Sequence, residues 1–155
     1  MESKVYFARV DTSRKACAQV LDEILQDTRD YLATYPKEGF QAFFSSCELS
    51  QKEIASAYYE YAARLCRGWD RVAEHLLEIG TLMQKFDAKM DSEAVLRCDA
   101  VLTKGRDFRA TLDRYLTESE RILKSERPLS RLYKQTQSFL FATEQFRLFL
   151  TTEAF

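Results

Sequence analysis

Between Gln51 and Met90, apolar side chains recur every three or four positions without losing phase. Ile54, Tyr58, Tyr61, Leu65, Gly68, Val72, Leu76, Ile79, Met83, Phe86 and Met90 form one helical seam. A similar seam follows at once through Val95, Cys98, Leu102, Gly105, Phe108, Leu112, Tyr115, Ser119 and Ile122. An unbroken helix over 51–90 would be roughly 60 Å long at the helical rise, although Gly68 and Gly80 could bend it. Two long one-striped helices joined by a few residues bury their stripes by folding back on each other. The expected fold is therefore all-α: a four-helix, mostly antiparallel bundle with a long central helical hairpin.

The remaining elements follow from caps and breakers. Asp11, Thr12 and Ser13 are N-cap residues, and Cys17, Val20, Leu21, Ile24, Leu25, Tyr31 and Leu32 behind them predict a first helix over about 13–34. Residues 1–10 are left unassigned. Pro36 and Gly39 end that helix, and a short aromatic helical segment is expected at about 40–47. Ser50 and Glu53 fit a capping box that opens a second helix over 51–90. Asp91-Ser92 turns the chain into a third helix over 92–124, and Pro128 opens a fourth over 129–151. With four Gly and two Pro in 155 residues there is little material for turns, which suits a single helical domain over 1–155.

Lys and Arg number 23 against 24 Asp and Glu, so any electrostatic function must come from local patches. No segment is apolar enough for a membrane span or a leader, and a cytoplasmic location is expected. The four cysteines, Cys17, Cys47, Cys66 and Cys98, form no C-x-x-C pair, and Cys17 and Cys98 fall on apolar seams as expected free buried thiols. A carboxylate-bridged two-metal bundle needs paired Glu-x-x-His motifs, whereas this chain has one histidine, His75, with Val72 three residues before it. No Gly-rich phosphate loop is present. The expectation is a protein that is not an enzyme and needs no metal or cofactor.

Three resemblances are each confined to a short stretch. His75-Leu76-Leu77-Glu78-Ile79-Gly80 resembles the H-x-x-K-G pattern of histidine phosphotransfer bundles, with Glu78 in place of the lysine and the glycine one position late. Phosphotransfer through His75 is accordingly a remote alternative. Val101 to Phe108, with Trp69 on the preceding helix, resembles spectrin repeats, but Gly105 replaces their histidine. Trp69-Asp70-Arg71-Val72 resembles the Trp-Gly-Arg helix start of apoptosis-regulator bundles, with Asp70 in place of the glycine. No family is assigned from them.

The expected function is protein–protein interaction, as an adaptor, scaffold or complex subunit whose partner is another chain or a second copy. The last helix carries apolar residues around most of its circumference, so it is either central in the monomer or offers a surplus face. Phe141, Leu148 and Phe149 are the candidate hydrophobic contacts. Arg121, Lys124, Arg127, Arg131 and Lys134 cluster around the last turn and are the candidate basic contacts. The alternative is a lipid-headgroup or nucleic-acid site on that basic turn at 121–134; a membrane or nucleic-acid partner is not expected, nucleic acid least of all because no exposed aromatics are interleaved with the five basic residues. The first helix is acidic through Asp22, Glu23, Asp27 and Asp30. Gly80 and Gly105 fall at nearly one height in the hairpin, where close packing or a groove is expected, and Trp69 is expected to cover the gap left by Gly68.

Overall fold

A computed structural model describes residues 2–34, 48–86, 92–125 and 130–152. Four helices fill these ranges: α1 (Glu2–Thr34), α2 (Glu48–Phe86), α3 (Ser92–Lys124) and α4 (Ser130–Thr152). The chain is an all-α, four-helix bundle in which α1 packs on α2 and α4, and α3 packs on α2 and α4. Between neighbours, rising residue numbers meet falling ones. Tyr6 meets Leu82, Cys17 meets Val72 and Thr28 meets Tyr61 across α1 and α2, while Lys104 meets Phe149 and Tyr115 meets Thr136 across α3 and α4. The expected segment at 40–47, the turns at 87–91 and 126–129, and Arg127 lie outside the described residues.

Three boundaries differ from the expectation. Helix α1 starts at Glu2 and runs straight through the Asp11-Thr12-Ser13 triplet read as its cap. The physical reason is visible in the side chains. Tyr6 and Val10 carry the buried seam two turns further toward the N-terminus, Thr12 Oγ1 donates to the Ala8 carbonyl 2.8 Å away, and Asp11 pairs with Arg14 and Lys15. Thus Asp11 and Thr12 find partners inside a helix, and Ser13 is buried within it. Helix α2 begins at Glu48, so Ser50 is within it rather than at its cap, and it continues unbroken through Gly68 and Gly80 to Phe86. Helix α4, described from Ser130, runs one residue past its expected end, to Thr152.

The seams follow a heptad alternation of three and four, the spacing of knobs-into-holes packing. On α1 it reads Val10, Arg14, Cys17, Leu21, Ile24, Thr28, Tyr31, and on α4 Leu132, Thr136, Phe139, Thr143, Phe146, Leu150, all buried. Threonines fit these apolar rows because Thr28, Thr136 and Thr143 each donate a hydroxyl proton to the carbonyl four residues earlier, at 2.8 Å. Two glycines admit knobs from a neighbour. A Cβ at Gly105 would lie 2.5 Å from Leu76 Cδ1, and one at Gly68 would lie 2.8 Å from Ile24 Cγ1. The Gly68 slot is therefore filled by α1, not roofed by Trp69, which packs on Phe108 instead. At Gly80 an added Cβ would make only an ordinary 3.8 Å contact with Leu102.

An aromatic row crosses all four helices. Tyr31 stacks on Tyr61 at 4.4 Å, Tyr61 meets Tyr115 edge-on at 6.5 Å, and Tyr115 stacks on Phe139 at 4.5 Å. Phe108 then joins Phe139 and Phe146. The hydroxyls of Tyr61 and Tyr115 each meet a threonine. Because Thr28 and Thr136 spend their protons on carbonyls, Tyr61 donates to Thr28 (2.9 Å) and Tyr115 donates to Thr136 (2.7 Å). Burial pushes both phenols well above the ordinary value, so they stay protonated donors. A paired polar layer of this kind favours one alignment of the helices, since a slip would strand buried hydroxyls.

Candidate functional site

Helix α4 is one wall of the bundle, and its apolar residues divide by phase. The seam from Leu132 to Leu150 faces inward, while Phe141 (63% exposed) and Leu148 (50% exposed) face solvent. These two are seven residues apart on one outer stripe, about 10 Å along the axis. Phe149 is separated from them: it is half-buried, packs against the core and lies 5.7 Å under the Lys104 ammonium. Thus, of the three expected hydrophobic contacts, Phe141 and Leu148 are exposed, while Leu148 and Phe149 line a groove.

That groove runs between α3 and α4. A concavity of about 400 Å³ is bounded by Lys104, Asp107, Phe108, Phe146, Leu148 and Phe149, among others. Another of about 400 Å³ follows, lined by Arg114, Glu118, Lys134, Ser138 and their neighbours. A third, of about 280 Å³, is lined by Glu118, Arg121, Ile122, Ser125, Arg131, Lys134 and Gln135. The groove thus begins aromatic and ends cationic. The structure brings Arg121, Arg131 and Lys134 of the expected basic cluster together around the last concavity, while Lys124 sits exposed in the final turn of α3. Arg121 and Lys124 also suit the negative end of the α3 dipole.

Ion pairing separates the two seams of α1 from the two seams of α3, which show none among the described residues. Across α1 and α2, Arg9 meets Glu78 (2.9 Å), Arg71 meets Glu23 and Arg64 meets Asp27 (3.9 Å). Across α1 and α4, Arg147 meets Asp22 (2.5 Å) and Arg29 meets Glu144 (3.2 Å). Hence the acidic run on α1 is matched by arginines on both flanking helices. Among the described residues no ion pair bridges α3 and α4. Arg121 pairs only along its own helix, with Glu118 at 2.7 Å, and Arg114 donates only to Thr111 Oγ1.

One polar residue was not anticipated from sequence. Arg14 is 6% exposed, and its guanidinium donates to Asp11 and to the Leu150 carbonyl in the last turn of α4. It supplies a cation and a donor where the helix leaves carbonyls without internal partners. The Arg14 guanidinium holds the Asp11 carboxyl below its ordinary range. The signal was present in the sequence, since Arg14 occupies a seam position otherwise held by apolar or threonine side chains. His75 is half-buried on α2, and its neighbour Glu78 is engaged by Arg9. Cys17 and Cys98 are buried free thiols, pushed up by burial to about 12 and about 11, and Cys66 is exposed. Among the described residues no cluster of three or more potential metal ligands occurs, and no helix is long and apolar enough to cross a membrane. No protein-family model, curated protein or solved structure matches this chain.

Proposed function

We propose that this protein is a non-catalytic interaction module that binds another protein chain, or a second copy of itself, through the outer face of α4 and the adjoining α3/α4 groove. The observation that carries the reading is the surplus apolarity of α4. Its inner seam is spent on the bundle core, yet Phe141 and Leu148 remain exposed one heptad apart, beside a groove floored by Phe108 and Phe146. Exposed aromatic and aliphatic anchors bordering a concavity are what helix-binding surfaces use. A cytoplasmic setting belongs to the same reading.

The test is affinity capture of the tagged protein from its source cells, together with light scattering of the purified chain. A stoichiometric partner or a defined oligomer, lost in the Phe141→Ser/Leu148→Ser variant while its circular dichroism spectrum is unchanged, is the expected result. A monomer that captures nothing would sink the reading. The alternative, an anionic headgroup or nucleic-acid phosphate at the basic turn, is supported by the concavity that collects Arg121, Arg131 and Lys134. Salt separates the two, because binding through several phosphates weakens steeply with ionic strength and an aromatic contact does not.

A further inference from the structure

We infer that the partner segment recognised by the α3/α4 groove is an acidic amphipathic helix, lying along the groove with its apolar end against Leu148 and Phe149 and its carboxylates at Arg121, Arg131 and Lys134. This rests on the interaction reading above and adds the partner's chemistry and direction. The dimensions come first. The concavities are lined in succession by α3 residues between Lys104 and Ser125 and by α4 residues between Arg131 and Thr152. Each span is a little over twenty residues, roughly 30 Å of helix, which a partner helix of about twenty residues would match. Leu148 lines the groove and Phe141 is exposed one heptad before it on the same helix, so an occupant with its own i, i+3, i+4, i+7 stripe has apolar anchors at a matching interval.

Charge then selects the occupant and its direction. At the aromatic end, Lys104 is accompanied by Asp107. At the other end, Arg121, Arg131 and Lys134 line one concavity with Glu118, whose carboxylate pairs with Arg121, so among the described residues Arg131 and Lys134 are cations in excess there. Across both α1 seams cations are neutralised by carboxylates of the neighbouring helix, but among the described residues none is across α3 and α4. A third helix carrying glutamates or aspartates at one end would supply those missing partners, and only in one direction. A basic helix would set like charges together at that end.

The experiment uses the full chain and two designed twenty-residue helical peptides with the same leucine stripe. One carries four glutamates at one end, and the other carries four lysines there. Fluorescence anisotropy is expected to show the glutamate peptide binding at least ten-fold more tightly, with the preference abolished by Arg131→Glu/Lys134→Glu. A spin label at its glutamate end should broaden the resonances of Arg131 and Lys134 more than those of Leu148. Equal binding of both peptides, or a label that broadens Leu148, overturns the inference. If both peptides bind equally and both are lost in Phe141→Ser/Leu148→Ser, the interaction reading survives without the charge selection. If neither binds, the inference fails, and capture with light scattering decides the broader reading separately. Tight binding to phosphatidylserine vesicles with no binding of the glutamate peptide also overturns it, in favour of a lipid surface.

Discussion

The flanks of α1 and the seam between α3 and α4 bury similar heptad rows yet finish their surfaces in opposite ways. Around α1, five cross-helix ion pairs among the described residues line the rims over the core. Between α3 and α4 the core is equally continuous, with Tyr115 on Phe139 and Phe108 on Phe146, but the rims border a groove whose cations have, among the described residues, no carboxylate partner on the facing helix. Exposed ion pairs contribute little stability individually, so this contrast is chiefly about what each surface can receive. A rim whose charges are matched within the chain offers little to a partner, whereas a rim with unmatched charge and exposed Phe141 does.

The sharpest way to break the comparison is at the buried end of the α1/α4 seam. Arg14→Met should remove the donor to the Leu150 carbonyl and leave Asp11 without its main partner, at a cost of about 2–4 kcal/mol. Urea denaturation would measure it, and a change below about 0.5 kcal/mol would mean that packing alone holds α4 to α1. A smaller effect is expected for Asp11→Asn, about 1–2 kcal/mol at neutral pH. Its sign with pH follows from the native carboxyl titrating below its ordinary 3.8. Stability from the charged form is fully present above that value and is lost as pH falls through the lower native value. The gap between wild type and Asp11→Asn should therefore be constant from pH 7 to about 5 and close in stronger acid. A gap that persists unchanged at pH 2 would contradict the assignment. Smallest of all is the effect of adding a charge to the unbridged groove. Ser138→Glu places a carboxylate in the concavity that holds Arg114 and Lys134. Thermal stability should move by less than about 1 kcal/mol, while affinity for the glutamate-ended peptide should fall, because the cations are then occupied from within.

How much of this could be read in advance varies from residue to residue. The rows on α2 and α3 were legible because apolar side chains at heptad spacing report directly which stripe faces inward, and Tyr58, Leu65, Val72, Phe108 and Leu112 are buried accordingly. The start of α1 was misread because aspartate, threonine and serine in succession look the same whether they cap a helix or lie within one. Only the continuation of packing at Tyr6 and Val10 distinguishes the cases. Among the candidate contacts, Phe141 and Leu148 could have been separated from Phe149 by phase, since each lies two residues off the buried row. The grouping of Arg121 with Arg131 and Lys134 required knowing that α3 and α4 are neighbours across the turn.

The sequence by itself determined the helical class, the number of long elements and the identity of most inward-facing rows, because helix period and side-chain polarity are local properties. Tertiary structure alone decided that Ile24 fills the slot at Gly68, that Arg14 closes the end of α4, and that arginines of α2 and α4 match the acidic run on α1. It also decided that α3 and α4 leave their cations facing an open groove. Those outcomes depend on which helices become neighbours and at what height, a relation between residues far apart in the chain that no local period encodes.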